Sequence, residues 1–142
     1  MSSRQRMVRL AATPRQESRI VLHHISLPIT DIARARRFYD AALAPLGYRC
    51  VFAGDEVIGY GVEDGKDKLS LKKRATARPA SDGFHLAFAA PSQDAVASFH
   101  DAALAFGGTD NGGPGLRPAY GPQYYAAFVI DPDGHRLEAV HK

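Results

Sequence analysis

A single cysteine, Cys50, is all the chain contains, so it can form no internal disulfide and no cysteine-rich metal site. That usage fits a reducing, cytoplasmic setting. No apolar run approaches the roughly 18 residues of a membrane span, and the first residues lack the apolar segment of a secretory signal. A glycine-rich phosphate loop, a zinc ribbon and a Ser-His-Asp arrangement are also missing. What remains is an ordinary globular composition: 142 residues, 45% hydrophobic and 23% charged, enough for one domain with a sizeable core.

Charge of one sign is scarce where it would matter. The net charge of +3 and the pI of 9.2 come from residues 1–19, where Arg4, Arg6, Arg9, Arg15 and Arg19 face only Glu17. The other 123 residues hold 13 basic and 14 acidic side chains, a net of −1. They show no basic stripe interleaved with aromatics, so neither nucleic acid nor a membrane is an expected partner. Residues 1–19 read as a flexible basic tail and 20–142 as one domain.

What the chain does have is a repeat. HISLPITDIARARRFYDAALAPLG, from His24, aligns without a gap to HLAFAAPSQDAVASFHDAALAFGG, from His85, over 24 residues at an offset of 61. The identities include His24/His85, Phe38/Phe99, Asp40/Asp101, Leu43/Leu104 and Gly47/Gly108. Two copies at this period are a duplicated module rather than a solenoid. In each copy a strand opens on histidine and leads into a helix. Thr30 or Asp31 caps the first helix and Ser92 the second, and Gly47 suits the C′ position of the first. Ile32, Ala35, Phe38 or Tyr39, Ala42 and Leu46 keep helical spacing, as do Val96, Phe99, Ala103 and Leu104.

Short strands at 48–52, 57–63 and 67–73 follow the first helix, separated by Gly54-Asp55 and Asp64-Gly65 turns. Residues 74–83 are polar and proline-bearing and read as a linker. After the second helix come a short strand near Thr109, a glycine- and proline-rich loop, and strands at 124–130 and 135–141 joined by the turn DPDG. The expected fold is α+β: tandem βαβββ modules at 20–73 and 84–142 building a curved mixed sheet.

Strand parity then singles out three residues. Ile25, Leu27 and Ile29 face the first helix, with His23 on their side; Phe84, Leu86 and Phe88 face the second. His24, His85 and Glu138 fall on the opposite faces. Two histidines and a carboxylate on one concave side form a facial triad suited to Fe(II), with Mn, Ni, Co or Zn as alternatives. A lone strand histidine is more often a hydrogen-bonded structural group, and it is the duplication that raises this pair. His23 and His100 read as structural, His135 as exposed after its turn, and His141 has the wrong parity for the concave side.

The segments 24–48, GFHLAFAAP and AFVIDPDGHRLEAV resemble the vicinal oxygen chelate superfamily, the glyoxalase, bleomycin-resistance and extradiol dioxygenase group. The resemblance spans residues 20–142. It implies paired modules forming a cup around a divalent metal held by His24, His85 and Glu138, with a small-molecule substrate chelated through vicinal oxygens. It also implies a homodimer whose cups are completed across a two-fold axis. A fourth ligand position falls on the last strand of module one, where this chain has Ser70. Glyoxalase I enzymes typically carry a glutamate there as ligand and proton-transfer base, and serine suits neither role. A three-ligand site remains, as in the extradiol dioxygenases and thiol transferases of the group. The expected activity is thus a metal-dependent lyase or isomerase, dioxygenase or thiol transferase. The alternative is a metal-free binding protein of the bleomycin-resistance type. Lys72 shares the parity of Ser70, and Arg117, Tyr120 and Tyr124 sit on or beside the glycine-rich loop; these are weaker candidates for substrate contact.

Overall fold

Two side-chain caps start the two helices. In the computed structural model, which describes residues 21–142, Asp31 accepts from the Arg34 amide at 2.9 Å and opens α1 (Ile32–Leu43). Ser92 accepts from the Ala95 amide at 3.0 Å and opens α2 (Gln93–Ala105). A 3-10 turn at 44–46 ends α1, and Gly47 leaves it at a φ of +89°, which a side chain disfavours. The basic tail, with its expected flexibility, lies outside the described residues.

Module one is a four-stranded sheet. Strands β1 (Ile25–Ile29), β2 (Arg49–Ala53), β3 (Val57–Gly61) and β4 (Leu69–Lys73) lie in the order β1-β4-β3-β2. Module two contains β5 (Leu86–Ala89), β6 (Thr109–Asp110), β7 (Gly115–Leu116), β8 (Tyr125–Ile130) and β9 (Arg136–His141). Its order is β5-β9-β8-β6, with β7 also beside β8. In both modules the first strand runs parallel to the last, Ser26 lying beside Ser70 and Ala87 beside Glu138. This confirms the α+β fold of paired βαβββ units, its strands divided between two mixed sheets.

The helices pack on each other as well as on the sheets, and one core runs through both modules. Leu27, Ile29, Leu69 and Leu71 bury toward α1, as alternation requires, while Leu137 and Ala139 join the same core from β9. Gly108 permits the close approach of the modules, since a Cβ there would come 2.7 Å from the Phe38 ring. Polar contacts close the seam. Tyr39 donates to Asp131 at 2.5 Å, and Thr30 Oγ1 and Arg34 Nη2 both donate to Asp133 at 2.9 Å.

Four expectations need correction. His135, expected to be exposed after the turn, is buried: the DPDG turn docks against β1 and sets its Nε2 2.6 Å from the Pro28 carbonyl. Phe84 precedes β5 and is 42% exposed, and Leu104 is 39% exposed because the buried face of α2 ends at Ala103. The first strand begins at Ile25, so His24 and the exposed His23 lie just before it. No helix among the described residues is long and apolar enough to cross a membrane.

Candidate metal and substrate site

Glu138 occupies an inner strand of the second sheet, between Ala87 on β5 and Phe128 on β8. Its side chain points away from the core formed by Leu137 and Ala139, yet it is only 1% exposed. The small Ala87 leaves room for His85, two residues earlier on the same face, to reach across. His85 Nε2 lies 2.8 Å from Glu138 Oε1, with the imidazole 47% exposed. The other carboxylate oxygen accepts a short hydrogen bond from the Tyr124 hydroxyl. Desolvation first, then the hydrogen bond to Glu138 and that group's charge, push the Tyr124 phenol up to about 12, so it stays protonated and donating near neutral pH.

The surroundings are aromatic. Phe128 lies edge-on to His85 at 6.1 Å, Tyr120 lies 5.4 Å from Tyr124, and the Arg117 guanidinium sits 5.5 Å above the Phe128 ring. The glycine-rich loop thus brings Arg117, Tyr120 and Tyr124 round the His85–Glu138 pair. Phe128 was not among the sequence candidates, although its parity and its position opposite Glu138 would have found it.

The matching face of module one carries different chemistry. Ser70 is buried beside Ser26, and Lys72 lies beside Pro28 on the same face. A hollow of about 180 Å³ there is lined by Ser26, Leu27, Pro28, Lys72 and Arg74. His24 is exposed, its Nδ1 2.8 Å from that of His23, which leaves its Nε2 for another partner. It lines the mouth of a 340 Å³ apolar cavity between the start of β1 and β5. Among the described residues, no three His, Cys, Asp or Glu side chains of one chain come together closely enough to hold a metal. The structure therefore unites His85 with Glu138, and His24 stands apart from them.

The donor chemistry still fits a divalent cation. A nearly inaccessible carboxylate is costly to bury without positive charge nearby, and Glu138 has only a histidine and a tyrosine hydroxyl as partners. Imidazole and carboxylate are also the two ligand types of a facial triad, and this pair would supply two of its three ligands.

Two βαβββ units sharing one core, with polar residues on the strand faces away from the helices, define an α+β class of paired-module folds. Residues 21–139 match the family model for the Glyoxalase/Bleomycin resistance protein/Dioxygenase superfamily, and the chain belongs to that superfamily. It is similar to a glyoxalase/bleomycin resistance protein from Albidiferax ferrireducens T118, with 29% identity, a TM-score of 0.72, and 84% of this chain and 96% of that one covered. A glyoxalase-related enzyme from Fulvimarina pelagi is 26% identical, with a TM-score of 0.65 over 83% and 85% of the respective chains. Glyoxalase I from Zea mays shares the fold at 23% identity and a TM-score of 0.64, over 84% of this chain and 45% of that one. A search of curated proteins gave no match.

Proposed function

We propose that the protein is a divalent-metal-dependent enzyme acting on a small oxygenated substrate, and that it works as a homodimer. His85 and Glu138 of one copy and His24 of the other would hold the ion, whose contribution would be to polarise two vicinal substrate oxygens as a Lewis acid. The observation that carries this reading is the buried Glu138, joined to His85 with a third candidate ligand standing apart in the same chain. A cup built from module one of one copy and module two of another would bring the three together.

The chain's own groups have separable tasks. Tyr124 holds the Glu138 carboxylate in one orientation through its second oxygen. Tyr120 packs against the Tyr124 ring at the edge of the site. Ser70 and Lys72 would form the opposite wall and meet polar groups of the substrate. Ser70 has no basic atom with which to remove a proton from carbon, so the reading favours dioxygenase or thiol-transferase chemistry over the glyoxalase I proton transfer.

Metal analysis of protein purified without chelator, beside a His85→Ala variant, tests the site. Metal in the native protein and little in the variant is expected. Equal content in both, or none in either after loading with Fe(II), Mn(II) and Zn(II), would sink the three-ligand site, and the second result would favour the metal-free binding protein. Oxygen uptake with catechols, set against isomerisation of a hemithioacetal, then separates the reaction classes.

A further inference from the structure

Arg117 is held with unusual care for a loop residue. Its amide donates to the Tyr124 carbonyl at 2.7 Å, which ties the start of the loop to its end. Nη2 donates to the Gly113 carbonyl at 2.7 Å, and the guanidinium lies over Phe128. Two glycines make room for it. A Cβ on Gly115 would come 3.1 Å from Nη1, and one on Gly112 would come 3.4 Å from Nη2 and 3.1 Å from the Phe128 ring. Gly112 also has a φ of +141°, which resists any side chain. The segment therefore forms a cradle for a planar cation.

The charge in that cradle is not neutralised. Arg117 makes no salt bridge with any described residue, and its hydrogen bonds go to peptide carbonyls. The two acids on the strands around it are engaged elsewhere: Glu138 has His85 on one oxygen and Tyr124 on the other, and Asp110 pairs with His100 and accepts from the Gly112 amide. Phe128 links the two centres, with the guanidinium over its face and the His85 ring against it. On module one, β4 adds Lys72 to the equivalent face and no carboxylate. A cup made of these two faces has cations waiting for an anion.

We infer that Arg117 anchors an anionic group of the substrate, and that the substrate is a small planar carboxylate. Its carboxylate takes the guanidinium fork, its flat body lies along the uncovered side of Phe128, and its remaining oxygens point toward the half-exposed imidazole of His85. A planar fork matches a carboxylate in a two-bond geometry that lysine cannot reproduce. An aromatic floor suits a ring or a conjugated chain. The assignment rests on the reading of His85 and Glu138 as the reacting end of the site.

Calorimetric titration of the full-length protein with 3,4-dihydroxybenzoate and with catechol tests it, because the two share a vicinal diol and differ in the carboxylate. The native protein should bind the acid about tenfold more tightly, the size of a charge-assisted hydrogen-bond pair. Arg117→Gln should bring the two ligands within about twofold of each other, with metal content unchanged. Gly115→Ala keeps the charge but displaces it from the cradle, and should lose most of the same preference. No preference in the native protein, or an undiminished preference in Arg117→Gln, would overturn the assignment. So would tighter binding of tetrahedral phenylphosphonate than of benzoate. If the protein holds no metal and still prefers the acid through Arg117, the anion anchor stands and the metal reading falls.

Discussion

Module one presents Ser26, Ser70 and Lys72 on the face away from its helix; module two presents His85, Phe128 and Glu138 on the corresponding face. Both faces stand on the same scaffold. Each has a parallel pair of first and last strands, a helix capped by a short oxygen side chain, and a phenylalanine, Phe38 or Phe99, buried at the same place in the repeat. The helix-packing side is constrained by the shared core, where a change of one methylene is felt. The other side is free of that constraint, and the two copies diverged there. Serine and lysine are self-sufficient with water or a substrate. Histidine and a buried glutamate call for a third party.

The strongest way to break the contrast is to erase the acid. Glu138→Ala should abolish metal retention and, by leaving the Tyr124 hydroxyl without its acceptor, lower stability by about 1–3 kcal/mol. Metal analysis and chemical denaturation read the two effects. Erasing the contrast from the other side comes next. Ser70→Glu places a carboxylate in a buried position beside Ser26 and Gly59 and should lower the stability of metal-free protein by about 1–3 kcal/mol. Part of that loss should return on adding Zn(II), with the melting temperature as readout.

Tyr124→Phe should weaken metal affinity about tenfold while keeping the ligands, as removal of a group that orients a ligand commonly does. It should also remove the phenol ionisation pushed up to about 12, as followed by phenolate absorbance. The smallest effect contrasts Tyr39 with His100, which occupies the same place in the second copy and pairs with Asp110 at 2.9 Å. Burial, helped by Asp131, raises the Tyr39 phenol well above 10, and burial likewise raises Tyr60. A phenol whose folded-state value is raised contributes stability that is fully present below pH 10 and is lost as pH rises through the folded-state value. Tyr39 and Tyr60 should therefore ionise only as the protein unfolds in alkali, with phenolate absorbance and circular dichroism changing together.

Much of this was legible in the sequence, because the relevant physics is local. Alternation along β1, β4 and β9 sorted core from outward residues, short-oxygen caps marked both helix starts, and parity put His85 and Glu138 on one face. What escaped depends on tertiary docking. His135 follows a turn signal and has a polar side chain, so nothing local says that the turn folds onto β1 and buries it against Pro28. The loop at 108–124 has too little periodicity to reveal that Gly112 and Gly115 frame Arg117. Parity assigned His24 a face, but it carries no information on whether that face meets module two of the same chain or of another.

That last question has a direct measurement. His24→Ala and Glu138→Ala proteins would each be purified, then mixed under conditions that exchange subunits, and the metal bound per chain determined. If a cup joins module one of one copy to module two of another, each variant alone holds no metal. The mixture should then recover about a quarter of the native sites, because random exchange makes half the dimers mixed and each mixed dimer has one intact cup. A mixture as empty as its parents, beside a metal-replete native protein, would contradict the shared site.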